Sequence, residues 1–132
     1  MKKLSFCVGF LFSCSAIASG IADNIIIEAT LSSDGTVVLY GKPKYQKTFK
    51  VVIMPKSKKP LNLIKENGCY KAFDSKNNDF YARTIHLSLL GELTDKTAKE
   101  GAITFVSDSN AVYGAQFIKW DSECVIPAEE EN

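Results

Sequence analysis

From Asn24 onward, apolar and polar residues alternate along the chain instead of recurring every third or fourth position. Successive side chains of a strand point to opposite faces, so a period of two predicts half-buried β-strands. In the first such run Ile25, Ile27, Ala29 and Leu31 take one face. Asn24, Glu28 and Thr30 take the other, with Ile26 the exception. Ser32-Ser33-Asp34-Gly35 carries turn chemistry, and residues 36–40 then predict a second short strand. The clearest strand is residues 46–54, where Phe49, Val51 and Ile53 oppose Gln46, Thr48 and Lys50. Pro55 should stop it, because proline has no N–H to give to a ladder.

Further on, residues 61–63 resume an extended pattern, and Asn67-Gly68 signals a turn before Cys69. The β-prone runs on either side of the polar stretch 74–79 predict a hairpin over residues 69–87. Leu87, Leu90 and Leu93 stand three apart, and Thr94 or Asp95 could cap a helical turn over 93–99. Gly91 argues against a long helix, so residues 88–100 are expected to form a loop with at most two helical turns. Residues 101–106 and 112–120 make the last two expected strands. About seven short strands with no convincing long helix predict an all-β sandwich.

The stretch ahead of Asn24 has another character. Lys2 and Lys3 precede a short apolar run from Leu4, and Ala16-Ile17-Ala18 supplies the small-x-small pattern of a signal-peptidase site. The run is about half the roughly 20 residues of a membrane span, so no transmembrane segment is expected. The expected organisation is a signal peptide over 1–18, a sandwich domain over 19–126 and an acidic tail over 127–132, in a periplasmic or secreted protein. Cys14, preceded by Leu11-Phe12-Ser13, offers a competing lipoprotein site, although Phe12 is bulky where a small residue is preferred.

Cleavage after Ala18 would remove Cys7 and Cys14 and leave Cys69 and Cys124 as a single possible pair. In an oxidising compartment they are expected to form a disulfide. Loss of Lys2 and Lys3 takes 16 basic residues to 14 against 15 acidic ones, a net charge of −1. Such a chain has no overall pull toward nucleic acid.

Four segments carry a resemblance: Thr48-Phe49-Lys50-Val51-Val52-Ile53, Cys69-Tyr70-Lys71-Ala72-Phe73, Gly101-Ala102-Ile103-Thr104-Phe105, and Val112-Tyr113 through Cys124. In this order they resemble the immunoglobulin-like domains of bacterial envelope proteins, and more narrowly a family of small enterobacterial periplasmic proteins of unknown function. The resemblance implies a β-sandwich and no particular activity. The chain departs from the antibody pattern, since Trp120 lies only four residues before Cys124.

Candidate chemistry is sparse. His86 is the only histidine, set in an expected strand without a serine in a glycine-flanked elbow. Carboxylates are scattered, and no phosphate, dinucleotide or calcium motif occurs. No catalytic residue, metal site or cofactor is implied. Charge is less even: ten lysines between Lys42 and Lys76 meet only Glu66 and Asp74, a local +8, whereas residues 121–132 hold five acids and no base. Lysines often decorate solvent faces or blunt sheet edges. The functional alternative is a face that attracts an anionic partner, and Lys44, Lys50, Lys56, Lys58 and Lys59 are the candidates for it. Tyr113, Phe117 and Trp120 fall on the expected last strand, Trp120 opposite the other two, as core residues or as an aromatic patch.

The expected function is therefore a non-enzymatic binding or accessory domain, with an unknown protein or an anionic envelope component as partner. The alternatives are an inhibitor or immunity protein that blocks a secreted enzyme, a surface-fibre subunit, and an envelope hydrolase. A protruding rigid loop would favour the inhibitor, a missing strand the fibre subunit, and a deep pocket with paired carboxylates the hydrolase.

Overall fold

Alternation along residues 46–54 is realised in the fold: Phe49, Val51 and Ile53 are buried, and Lys50 between them is exposed. The computed structural model describes residues 24–56, 59–64, 68–94 and 97–124. Eight strands run through them: β1 (Ile25–Leu39), β2 (Lys42–Pro55), β3 (Leu61–Asn62), β4 (Cys69–Phe73), β5 (Asp79–Ile85), β6 (Glu92–Leu93), β7 (Lys99–Ser107) and β8 (Phe117–Asp121). Six form one sheet in the order β1-β2-β7-β5-β4-β8, and β3 pairs with β6. All pairings are antiparallel. The six-stranded sheet curls until its edge strands β1 and β8 make contact. The inward faces then share one core, which includes Ile25, Phe49, Tyr70, Phe105 and Trp120. The result is an all-β, sandwich-like fold. The expected signal segment 1–18 and acidic tail 127–132 lie outside the described residues.

Two expected strands merge into one. No turn forms at Ser32-Ser33-Asp34-Gly35; β1 continues through it, and the register shifts between Leu31 and Ser33. One extra residue accommodated as a β-bulge lets a turn-prone sequence stay in the ladder. The reversal comes later, at Tyr40 (φ 54°) and Gly41 (φ 76°), between the paired Leu39 and Lys42. Positive φ at both central residues is the backbone of a type I′ hairpin turn, whose twist matches that of the flanking strands.

The hairpin expected over 69–87 is present as β4 and β5. Asp74 organises its turn by accepting from the backbone N–H groups of Lys76 and Asn78 and from the Asn78 side chain, each at 2.9 Å. A 3-10 turn forms at Leu87–Leu89, directly after β5, with His86 at its N-cap position instead of in the strand, and the turn expected over 93–99 includes residues 95 and 96, which lie outside the described residues. The last strand is shorter than expected. Residues Asn110–Gly114 form a 3-10 helix, capped by the Ser109 side chain, so Val112 and Tyr113 precede β8. Trp120 and Ile118 point inward from β8, while Phe117 is exposed.

Cys69 and Cys124 are joined, tying the first residue of β4 to the chain just beyond β8. Behind this bond, Tyr70 meets Trp120 edge-on at 4.9 Å between ring centroids. The Tyr70 hydroxyl donates to the Leu89 carbonyl at 2.7 Å, and burial pushes this phenol above its ordinary range. A buried phenol needs such a partner to offset its lost hydration.

Candidate functional site

Outward side chains of β2 are its even-numbered residues, and the sheet register brings neighbours from β1, β7 and β5 beside them. Thr48 lies opposite Ser33 on β1 and Thr104 on β7, and Thr104 lies opposite Thr84 on β5. Directly opposed residues of antiparallel strands share a face. Four hydroxyl side chains therefore cross four strands in one row, and Thr48 and Thr104 are hydrogen-bonded to each other at 2.7 Å.

The next row is Thr30, Lys50 and Ala102. At its far end His86 crosses β7, with its backbone N–H donating to the Ala102 carbonyl at 3.0 Å. Gly101 permits this crossing. A Cβ there would lie 2.6 Å from the His86 Cβ and 2.9 Å from the Ser88 hydroxyl oxygen. That hydroxyl donates to the Glu100 carbonyl, so residues 86–88 are held to β7 from both sides. A shallow depression results, lined by Ser32, Lys50, His86, Glu100, Gly101 and Ala102. The β1 bulge lies at its rim, and a second bulge, between Ala82 and Thr84 of β5, lies near it.

The candidate lysines divide. Lys44 and Lys50 share the outward face of β2. Lys44 is paired with Asp108, whose carboxyl is held below its ordinary range by the lysine's hydrogen bond and charge. Lys50 stands 3.9 Å from Glu100, both largely exposed. Lys56 and Lys59 are exposed beyond the end of β2, and Lys58 lies outside the described residues. Two further lysines of the basic segment are buried and serve the fold. Lys47 donates to the carbonyls of Tyr113 and Ala115, each at 2.7 Å. Lys71 lies between Asp121 at 3.0 Å and Asp79 at 3.4 Å. Burial draws its ammonium pKa down, but the hydrogen bond and charge of Asp121, with help from Asp79, leave it raised. Summing charge along the sequence overstates the basic face, because it counts these two.

A feature absent from the lysine pattern is the far end of the first hairpin. Pairing of β2 with β7 stops at Tyr45 and Ser107, whereas pairing of β1 with β2 continues to Leu39 and Lys42. Residues 37–44 thus form a two-stranded arm that overhangs the sheet. Its base is braced by the Lys44–Asp108 pair and by Tyr113, which meets Tyr45 edge-on and donates to the Gly35 carbonyl at 2.9 Å. Val38 is 68% exposed on the arm and Tyr40 45% at its tip. Tyr40-Gly41 lacks the Asn-Gly or Asp-Gly signal of such a turn, and the turn chemistry of residues 32–35 points to an earlier reversal.

No curated protein matches the chain at a significant level. Among solved structures, an ApaG protein from Pseudomonas aeruginosa PAO1 superposes with a TM-score of 0.71 at 26% identity, covering 77% of this chain and 98% of that one. Over residues 1–122 the chain matches the model of a domain of unknown function, DUF4354, and it belongs to that family.

Proposed function

We propose that this chain is an exported, non-enzymatic binding domain that engages a partner protein in the periplasm or outside the cell through the arm formed by residues 37–44. The observation that carries this reading is Tyr40. It occupies the first central position of a type I′ turn at φ 54°, a conformation that glycine or asparagine adopts at far less cost than a bulky ring. Strain of this kind costs on the order of 1–3 kcal/mol and tends to occur where a side chain is needed for contact. Tyrosine suits such a place, since it offers a large amphipathic surface with few rotatable bonds. Val38 on the same arm adds apolar area, and Lys42 flanks the turn, while Lys44 at the base is paired with Asp108.

The arm also supports the inhibitor reading, because a braced hairpin can enter another protein's cleft without a large ordering cost. Both readings share one test. A photo-crosslinking residue at Val38, with a control at Glu28, should capture a partner from periplasmic extract only at Val38. Tyr40→Asn keeps a turn-compatible residue and should abolish capture without lowering the melting temperature. Equal capture by the Val38 and Glu28 probes, or full capture by Tyr40→Asn, would remove the arm from consideration.

A further inference from the structure

We infer that the outward face of β1, β2, β7 and β5 is a second binding site, separate from the arm, and that its ligand is a neutral oligosaccharide. Three observations converge on it. The depression beside Gly101 is lined by a hydroxyl (Ser32), an ammonium (Lys50), an imidazole (His86) and a carboxylate (Glu100). From it, the row Ser33, Thr48, Thr104 and Thr84 runs across the sheet. The charges of this face mix both signs: Lys50 stands near Glu100, Lys44 is bound to Asp108, and Glu28 lies on β1.

Mixed charge argues against an ionic ligand, since a face without excess of one sign generates no strong attracting field. It suits a ligand that both donates and accepts. The 3.9 Å separation of Lys50 and Glu100 is long for an ion pair, and exposed pairs of this kind contribute about 0–1 kcal/mol. A sugar hydroxyl placed there accepts from the ammonium and donates to the carboxylate. Both bonds are charge-assisted, like those of the water the hydroxyl displaces, and they fix the orientation of the sugar between the two side chains. The hydroxyl row continues the same chemistry at the roughly 4.8 Å spacing of neighbouring strands, so the site suits several linked sugar units and not one. The face is pre-formed: Gly101 and the Ser88 bond hold His86 in place, and the two bulges give the sheet its local bend.

The test is a titration of the 15N-labelled protein with three neutral tetrasaccharides, chitotetraose, cellotetraose and maltotetraose, followed by amide chemical shifts. At least one should produce saturable shifts at Thr48, Thr84, Gly101, Ala102 and Thr104. The exposed-residue variant Lys50→Met/Glu100→Gln should weaken that binding tenfold or more with its melting temperature unchanged, and Tyr40→Asn should leave it intact. Inorganic phosphate at the same concentration should not reproduce the pattern. The inference is overturned if none of the three sugars gives saturable shifts, if the shifts map outside this face, if phosphate reproduces them, or if Lys50→Met/Glu100→Gln binds as tightly as the parent.

Discussion

Lys47 and Ala115 are 68 positions apart in the chain, yet the lysine ammonium donates to the alanine carbonyl over 2.7 Å in a buried setting. With the companion bond to Tyr113, this side chain ties β2 to the turn that launches β8. Hydrogen bonds from a charged donor contribute roughly 1.5–3 kcal/mol, and removing the donor strands two carbonyls out of water. Lys47→Met should therefore destabilise the protein by about 2–3 kcal/mol in urea unfolding. Lys50→Met, three residues on but largely exposed, should change stability by less than about 0.5 kcal/mol. Equal losses from the two would mean that Lys47 is not held as described.

Acid should weaken the fold through a small set of carboxyls. Asp121 is held low by the backbone N–H of Glu123 and then by Lys71, Asp74 by the Asn78 side chain and nearby backbone N–H groups, and Asp108 by Lys44. A carboxyl depressed in the folded state stabilises it above the unfolded value of about 4, and that contribution is lost as pH falls through the folded value. Lys71, raised in the folded state by Asp121 and Asp79, gives up its side of the same interaction only in strong alkali, as pH rises through its folded value. Urea midpoints should thus drop between pH 5 and the low-pH limit. Asp121→Asn should cost stability at pH 7 and much less at pH 2. A cost that does not depend on pH would show that the carboxylate charge is not its source.

Two glycines should resist alanine for different reasons. At Gly68, with φ at 143°, an added Cβ would lie 2.4 Å from the Trp120 ring nitrogen, so backbone and core both object. At Gly101 the obstacle is steric, set by His86 and Ser88. Overpacking of this kind costs roughly 1–3 kcal/mol, and Gly68→Ala should exceed Gly101→Ala because it adds backbone strain. In a double-mutant cycle, His86→Gly should recover part of the Gly101→Ala loss. Simple additivity of the two would contradict their contact.

The disulfide closes a loop with a sequence separation of 55. In the chain-entropy account such a link stabilises by about 4 kcal/mol, with any native strain subtracting from it. Cys69→Ser/Cys124→Ser should lower the unfolding free energy by up to that amount. Thiol labelling of the denatured, unreduced protein should find neither of these two cysteines free. Retention of full stability by the double serine variant would deny the bond its structural role.

Much of this fold was legible in the sequence because burial on one side of a strand leaves a period-two signature. Phe49, Val51 and Ile53 carry it plainly, and the pairing of Cys69 with Cys124 is expected once Cys7 and Cys14 are assigned to a signal segment. What escaped has a common physical origin in tertiary context. Ser32-Ser33-Asp34-Gly35 is turn chemistry, but pairing with β2 keeps it extended at the expense of one bulge. Tyr40 reverses the chain without any turn signal of its own. Lys47 and Lys71 look like surface charge until carbonyls and carboxylates from distant strands surround them. The hydroxyl row was invisible because Ser33, Thr48, Thr84 and Thr104 become neighbours only through register. Lys44 and Lys50 lie on one face, and the acids that answer them come from the chain around β7, some fifty to sixty-odd positions away.

The link between Cys69 and Cys124 also decides where mechanical load travels. β8 is an edge strand, held on one side by β4, and a pull on the chain beyond Cys124 would ordinarily peel it away one hydrogen bond at a time. Because the cysteine comes after the strand, tension arriving from that side passes across the sulfur bridge into β4, which lies between β5 and β8. The outermost strand is bypassed, and force enters the sheet where it has neighbours on both sides.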